Sequence, residues 1–401
     1  MTSPASVRWV PPDPQDLPEW RAQLMDFTAS EASDVAMRET LRAGRCTIVP
    51  TMRNAPLDSG TFAATVLNGA EHARLSQADL FYATADMTAL ALAAAATPPR
   101  ERVSIERLPS ESGFIVFEEP IGGYVEDVGA AMAGRVTATA AEDVRITTPI
   151  VAASWTAWTP QDIQITEGGT VTWGHITRDG YIAIPPDTRG IWITYYSPCG
   201  VTSGLPPQTV IGTMPDGTTF TAAMFETTRQ TAPDRRPLNW DNETLLVEGT
   251  EFTAARPDTT DVWSHTLYTA WQLMTATGVA RWTETEEIPR ARAGRKRDTR
   301  QNITGTSAVR VINVHTAHRP PREAALADAA ASTGRREPSW SFRWPVRPYR
   351  RSTCLNPSGH ATGDCQHEDR IVSGHVKGPP GAPLRTGTTV HLWDHQPKTD
   401  A

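Results

Sequence analysis

The spacing of apolar residues changes partway along this chain, from a helical period to an alternating one. Before about residue 100, Trp20, Leu24 and Phe27 recur at the three- and four-residue spacing of an amphipathic helix. From Val103 onward the apolar segments are short, rich in β-branched and aromatic residues, and bounded by glycine, proline and aspartate. This change favours a helical part joined to a β-rich part and argues against an all-helical fold.

The first hundred residues predict helices. Pro18 suits the first turn of one helix, and Gly44 suits the end of a second. A third helix is expected to begin at Ser76, to include Leu80 on its apolar face, and to end before Pro98.

The middle of the chain predicts antiparallel strands. Asp179-Gly180 is a hairpin-turn signal between two strand-like runs. No alternation of strands and helices is evident in this region, so we expect mainly antiparallel pairing. The predicted strands are Gly113–Phe117, Val151–Trp155, Thr170–Trp173, Tyr181–Ile184 and Gly190–Tyr195.

One helix stands out after the β-rich region. Thr260 is placed to cap it, and Trp263, Leu267, Trp271 and Met274 form its apolar face. We expect this helix to pack both tryptophans against a neighbouring part of the protein.

These patterns predict an α+β fold with a helical N-terminal region, a central β-rich and mainly antiparallel domain, a bridging helix and a small β-containing C-terminal module. The expected segments are a helical region at 1–100, a β-rich domain at 101–255, the bridging helix at 256–283, a basic linker or arm at 284–305, and the C-terminal module at 306–401.

The charge balance reverses in one segment. From Arg290 to Arg351 the sequence has 15 Lys and Arg against 4 Asp and Glu, a net charge of +11. The whole chain carries −7, so the other residues together carry −18. The segment favours an anionic partner, whereas the acidic remainder would repel one.

The basic segment has two parts. Residues 284–305 are too polar to build a core, and we interpret them as a linker or an exposed arm. The block from Trp340 to Arg351 interleaves four aromatic residues with four arginines, a mixture typical of proteins that bind RNA or single-stranded DNA. Trp340, Phe342 and Trp344 also fit the buried face of a strand. The predicted phosphate contacts are Arg295, Lys296, Arg297, Arg343, Arg347, Arg350 and Arg351, and the predicted stacking residues are Trp344 and Tyr349.

Cysteine and histidine residues cluster near the C-terminus. Cys354, His360, Cys365 and His367 lie within 14 residues, a set that zinc could use as ligands. The two cysteines are separated by ten residues, whereas structural zinc sites usually have closely spaced cysteine pairs. A glycine-rich surface loop without metal is the alternative.

A second hypothesis for the same region is catalytic and involves His367, His375 and Lys377. Histidine titrates near neutral pH and cations bind phosphate, so these residues would suit a metal-independent nuclease or a toxin-like enzyme. The alternative is a rigid turn with solvated side chains.

Cysteine usage and the N-terminus bear on the compartment. Four cysteines in 401 residues are too few and too scattered for a disulfide framework. The N-terminal residues lack the apolar core of a signal peptide, and the longest alanine-rich run is too short to span a bilayer. We expect a cytoplasmic protein without a membrane partner.

Four sequence islands resemble a family of proteins of actinobacteria and their phages that has no established activity. The islands are Leu108-Pro109-Ser110 with Gly113-Phe114, Thr269–Met274, Val309–Val314, and Trp344–Arg347 with His375–Pro379 and Gly381–Leu384. The resemblance implies no catalytic residue. The chain differs from that family at Pro348-Tyr349-Arg350, where the relatives have a Gly-His-Trp-Arg-like run.

The function that these patterns favour is that of a nucleic-acid-associated interaction protein, binding RNA or DNA through its basic C-terminal segment. Two alternatives stay open. One is the nuclease or toxin-like enzyme, and the other is a structural or regulatory module whose basic segment docks on an acidic protein partner or on the chain's own acidic body.

Overall fold

The computed structural model describes residues 5–6, 9–42, 44, 46–52, 57–127, 145–160, 171–177, 180–199, 206–224, 236–255, 259–277, 281–315, 341–346, 349–354, 367–372, 375–379 and 382. At 5–6, 126–127, 145–146, 177, 345, 349–354, 367–372 and 375 it describes the backbone alone. The chain divides into two compact units, Met1–Val314 and His315–Ala401.

The described elements confirm the α+β class, with helices concentrated near the N-terminus. The helices are α1 (Leu17–Thr28), α2 (Glu31–Arg42), α3 (Ser59–Gln77), α4 (Ala85–Ala95), α5 (Thr260–Thr275) and α6 (Arg292–Arg300). The strands are β1 (Ala5–Ser6), β2 (Ile48–Met52), β3 (Asp79–Ala83), β4 (Ser112–Phe117), β5 (Gly122–Asp127), β6 (Arg145–Ile150), β7 (Ala152–Trp158), β8 (Val171–Thr177), β9 (Gly180–Ala183), β10 (Gly190–Pro198), β11 (Val210–Thr213), β12 (Thr219–Thr221), β13 (Leu238–Val247), β14 (Thr283–Ile288), β15 (Val309–Val314), β16 (Trp344–Val346), β17 (Tyr349–Cys354), β18 (His367–Val372) and β19 (His375–Lys377).

A seven-stranded sheet forms the centre of the first unit, in the order β13-β10-β7-β4-β3-β15-β14. Its neighbours are antiparallel except that β3 runs parallel to both β4 and β15. The sheet is therefore mainly antiparallel, as the sequence predicts. It also joins strands from segments 1–100, 101–255, 284–305 and 306–401, so these segments share one sheet.

The expected helix from Ser76 through Leu80 is wrong in its first half. Residues Asp79–Ala83 form β3, and the helix α4 begins only at Ala85. Strand β3 is paired on both sides and buried on both faces, so it reads as a continuous apolar run instead of an alternating one. With α4 between them, β3 and β4 form the parallel connection that the sequence did not reveal.

Helices cover both faces of this sheet. On one face, Leu24 of α1 and Leu75 of α3 pack with Tyr82 and Phe114 in a single buried cluster. On the other face, Trp271 of α5 lies with its ring centroid 5.1 Å from that of Trp155. The two tryptophans of α5 are buried, which confirms the predicted packing of this helix.

A second, three-stranded sheet, in the order β2-β8-β9, packs beside the large one. The antiparallel pairing predicted for the strands on either side of Asp179-Gly180 is confirmed, because β8 and β9 pair with Thr177 opposite Gly180. Asp179 itself lies outside the described residues. Trp158, Trp173 and Trp192 join the two sheets in a buried cluster with edge-to-face contacts at 5.3–5.6 Å. They are core residues.

The second unit contains two described two-stranded antiparallel sheets, β16–β19 and β17–β18. The backbone N–H of Val376 donates to the carbonyl of His315 at 3.2 Å. The further strand predicted at 389–393 lies outside the described residues. Among the helices that the structure describes, none is both long enough and apolar enough to cross a bilayer.

Candidate nucleic-acid interface

The first part of the basic segment, which the sequence analysis interprets as a linker or an exposed arm, contains the helix α6. Arginine, alanine and lysine favour helix between Arg292 and Arg300. The helix ends where Asn302 takes a left-handed conformation with φ of 56°. The N–H of Ile303 donates to the carbonyl of Asp298 at 3.0 Å, and the N–H of Asn302 donates to Thr299 at 3.3 Å. These two bonds form the Schellman motif that closes many helices.

A buried carboxylate ties this helix to the body of the first unit. Asp298 is 2% exposed, and its Oδ2 lies 2.9 Å from Nε of Arg290 and 4.0 Å from Nη2 of Arg21 in α1. Arg21 is fully buried and also donates to the carbonyls of Ala78 and Thr306, at 2.7 and 3.3 Å. Burial lowers the pKa of Arg21 to about 10, against the opposing effect of Asp298. The guanidinium therefore stays charged at neutral pH.

Gly294 makes room for the contact between Arg290 and Asp298. A Cβ at Gly294 would lie 2.5 Å from Nε and 2.8 Å from Cγ of Arg290. The arginine side chain thus crosses the helix surface directly over the glycine to reach the next turn. Glycine inside a helix costs about 1 kcal/mol relative to alanine, so its presence here is explained by this crossing.

The face of α6 that points away from Asp298 is basic. Arg292, Lys296 and Arg300 are exposed and follow one another at four-residue intervals. At about 1.5 Å per residue, the three charges span about 12 Å along the helix axis. None of the three forms an ion pair or a side-chain hydrogen bond with any residue that the structure describes.

The two other basic residues of α6 are already engaged. Arg297 donates from Nη1 to Oε2 of Glu19 in α1 at 2.5 Å. Arg295 donates from Nη1 to the carbonyl of Arg290 at 2.6 Å. Of the residues predicted to contact phosphate in this helix, Lys296 is therefore the one on the unpaired face, and Arg292 and Arg300 join it.

In the second unit, the aromatic residues of the predicted block contact each other. The rings of Phe342 and Trp344 meet edge to face with centroids 5.9 Å apart, and both residues are partly buried. Arg343 donates from Nε to the carbonyl of Ala382 at 2.6 Å. Trp344 begins β16, and Phe342 lies two residues before that strand, so the two rings pack together at the start of the strand.

The remaining predicted binding residues are placed only by their backbone or not at all. Tyr349, Arg350 and Arg351 lie in β17, where Arg351 is opposite Arg370 of β18. Arg347 lies outside the described residues.

The residues of the catalytic and zinc hypotheses fall on separate sheets. Cys354 and His367 are directly opposite each other in the β17–β18 pair. His375 and Lys377 belong to β19, paired with β16, and Lys377 is exposed. His360 and Cys365 lie outside the described residues, and the described part of the chain contains no group of three or more potential metal ligands.

A buried polar cluster that the sequence patterns did not predict lies between α3 and the large sheet. Glu71, 2% exposed, accepts hydrogen bonds from Ser154 and Thr194 at 2.9 Å and from the hydroxyl of Tyr196. Its Oε2 lies 3.2 Å from Nη2 of Arg74. Burial, followed by the charge of Glu71, raises the pKa of Tyr196 well above its usual value.

A second carboxylate is buried beside this cluster. Glu243 of β13 accepts from the N–H of Ile48 at 3.1 Å and from Nε1 of Trp192 at 2.7 Å. The guanidinium carbon of Arg74 lies 4.5 Å from the centre of the Trp192 ring. Burial raises the pKa of Glu243 to about 7, partly opposed by these hydrogen bonds and by Arg74. Glu243 is fully buried and Glu71 and Arg74 are 2% and 3% exposed, so this cluster is part of the core.

Two local signals could have indicated these buried charges. Asn68, Glu71 and Arg74 recur at three-residue spacing, so on a helix they share the face that also carries Leu67 and Leu75. Polar residues on an apolar face predict a buried hydrogen-bonded network. In α6, a lone acidic residue within a basic run was the corresponding signal.

Comparison of the sequence with protein-family models gives no match, and comparison with curated proteins gives none either.

Proposed function

We propose that this chain is a nucleic-acid-associated protein and that it contacts phosphate groups through the exposed face of α6. The observation that carries the proposal is the row of Arg292, Lys296 and Arg300, three cations on one side of an ordered helix with no described partner. Along a nucleic-acid strand of B-form geometry, the 12 Å span of this row covers about three to four phosphates.

The composition of the face favours nucleic acid over an acidic protein. Apart from the small side chain of Ala293, the exposed residues of α6 are polar or charged. Protein interfaces are enriched in aromatic and apolar residues at their centre, whereas contact with phosphate needs charge alone. The acidic remainder of the chain weakens the attraction only locally, because charges beyond about 8 Å are largely screened at physiological ionic strength.

We propose further that the protein acts in the cytoplasm and is related to the family that its sequence resembles. Cys46 and Cys199 are free thiols in the described part of the chain, and free thiols suit a reducing cytoplasm. The proposed kinship is with the proteins of actinobacteria and their phages that the four sequence islands resemble, a family with no established activity.

Charge-matched variants of the full chain test the proposal. The variant R292Q/K296Q/R300Q removes three cations from the face of α6. The control R42Q/R102Q/R189Q removes three exposed cations elsewhere, at side chains that are 70%, 67% and 63% exposed. Affinity for labelled RNA, single-stranded DNA and duplex DNA is measured between 50 and 200 mM salt.

With about three phosphate contacts, wild-type affinity for duplex should fall about 40-fold over this salt range. The α6 variant should lose most of the affinity and most of the salt dependence, and the control should keep both. Salt-independent binding, or equal losses in the two variants, contradicts the proposal. Preferential binding to poly-glutamate would assign the face to an acidic protein partner.

A further inference from the structure

The basic helix contains one acidic residue, and that residue is the buried one. Within Arg292–Arg300, Asp298 follows Lys296 by two positions, so it points about 200° around the helix from the centre of the exposed cationic row. An acidic residue near the C-terminal end of a helix is opposed by the helix dipole. Asp298 is nevertheless buried there, between the guanidinium groups of Arg290 and Arg21.

We propose that Asp298 is a positioning residue for nucleic-acid binding: it seats α6 on α1 so that Arg292, Lys296 and Arg300 are held as one phosphate-binding face. This inference rests on the proposed function. It adds that the affinity of the face depends on a negative charge beneath it.

The length of α6 supports a need for such an anchor. Isolated helices shorter than about 12–15 residues are marginal in water, and α6 has 9 residues, including Gly294. Its order must therefore come from contacts with the rest of the first unit. The described side-chain contacts of α6 itself with α1 are those of Asp298 with Arg21 and of Arg297 with Glu19. The flanking residues Arg290 and Gln301 add longer contacts with Glu19 and Asp26, at 3.9 and 3.5 Å.

The two anchors differ in strength. The Arg297–Glu19 pair is exposed, at 56% and 42% for the two side chains, and exposed pairs contribute little. The side chains of Asp298 and Arg21 are 3% and 0% exposed. Removal of one partner from a buried charge cluster leaves the other charge uncompensated, which is strongly unfavourable. Asp298 is thus the residue on which the seating of the helix depends.

Gly294 provides an independent means of disturbing the same contact. Alanine at this position would normally strengthen a helix. Here its Cβ would displace the side chain of Arg290 and so withdraw that cation from Asp298. Gly294→Ala therefore tests the anchor with no change in net charge.

The test compares three single variants of the full chain. Asp298→Asn raises the net charge by one and removes the anchor, whereas Gly294→Ala keeps the charge and disturbs the anchor. The control is Glu106→Gln, which raises the net charge by one at an exposed position in a separate turn. Each variant is measured for affinity to the same oligonucleotide at 50 and 200 mM salt, and for amide hydrogen exchange.

We expect Asp298→Asn and Gly294→Ala each to lower affinity at least threefold and to reduce the salt dependence, while Glu106→Gln binds as wild type or slightly more tightly. Amide protection should fall across 292–300 and stay unchanged in β10, which separates local release of the helix from global unfolding.

Tighter binding by Asp298→Asn, as charge alone predicts, would overturn the inference, as would intact protection of α6 in both variants. If the R292Q/K296Q/R300Q variant loses binding while Asp298→Asn does not, the proposed function stands and the role of Asp298 fails. If wild type binds no nucleic acid, both fail.

Discussion

Protonation of Glu243 should make the stability of the first unit depend on pH in an unusual direction. The folded protein holds the pKa of this carboxyl at about 7, compared with 4.5 for an unperturbed glutamate. Below pH 4.5 the group is protonated in both the folded and the unfolded chain. Between pH 4.5 and 7 it ionises in the unfolded chain first, so the unfolded state binds fewer protons and stability falls as pH rises.

The size of the effect follows from the difference between the two pKa values. About 2.5 pH units at about 1.4 kcal/mol each give about 3–4 kcal/mol in total, of which about 3 kcal/mol is lost between pH 4.5 and 8, because the unfolded group is already half ionised at pH 4.5. Glu243 has essentially no exposed surface, so solvent screening does not reduce this figure. The neighbouring charged groups are Arg74, whose charge lowers the pKa, and Glu71, whose charge raises it.

The variant Glu243→Gln isolates this contribution. Both carboxylate oxygens accept hydrogen bonds, one from the N–H of Ile48 and one from Nε1 of Trp192. In glutamine an NH₂ group replaces one of these oxygens, so one of the two donors would lose its acceptor. That mismatch costs about 1–3 kcal/mol at every pH. The informative quantity is therefore the pH dependence of the difference between wild type and variant in free energy of unfolding.

Urea unfolding followed by tryptophan fluorescence at pH values from 4.5 to 8 measures that difference. Trp192 donates to Glu243 and packs in one cluster with Trp158 and Trp173, so their fluorescence reports unfolding of this part of the core. The stability of wild type relative to Glu243→Gln should fall by about 3 kcal/mol over the range. Glu251→Gln, at a side chain 72% exposed, is the control and should run parallel to wild type. A constant difference between wild type and Glu243→Gln would refute the reasoning.

Further predictions concern packing and the buried carboxylate of Glu71. Gly113→Ala should destabilise the fold by about 1–3 kcal/mol, because the added Cβ would lie 2.1 Å from Cζ2 of Trp155. Gly69→Ala, with nothing within 4 Å of its Cβ on an exposed side of α3, should stabilise by about 1 kcal/mol, and thermal unfolding of the pair checks both signs. Arg74→Met should cost about 3–5 kcal/mol, because it leaves Glu71 buried without its cation; an unchanged urea midpoint would contradict this.

The parts of the fold that the sequence predicted well have clear local patterns. Val309–Val314 alternates, and α5 has an unbroken apolar face, so both elements occur where expected. Strand β3 was mistaken for part of a helix because Leu80 to Ala83 is buried on both faces, and a short apolar run does not distinguish the two structures. The partners of β3 lie far along the chain, in β4 and β15, and no local pattern carries that information.

The sequence predicted which segment of the chain is basic, but it did not predict that this segment contains the ordered helix α6. Charge identified the segment that holds α6, yet charge and polarity also favoured a linker or an exposed arm, since a polar segment has little apolar surface to bury. The structure orders it by a different means, with ion pairs from Glu19 and Arg21 and a helix end that places Ile303 against the core. Glu19 lies 278 residues before Arg297 in the sequence, and Arg21 is nearly as far from Asp298. Only Gly294 and Asp298 gave a local indication, as residues out of place in a basic helix.

Binding should be measured on the full chain, because the net charge of the basic segment and the charges held on the ordered helix α6 contribute to affinity in different ways. The side chains of α1 that hold α6, Glu19 and Arg21, come before Arg290 in the sequence. Ser76 also comes before it, and its carbonyl accepts hydrogen bonds from the N–H groups of Thr304 and Gly305 at 2.8 and 3.0 Å. A fragment that begins at Arg290 would keep the segment from Arg290 to Arg351, with its net charge of +11, and would lose these contacts. An isolated helix of this length is only marginally stable in water, so the basic side chains of such a fragment would not be held in one row. Its affinity for nucleic acid would then depend on charge density alone. Only in the full chain can the contribution of an ordered basic face be separated from that of charge.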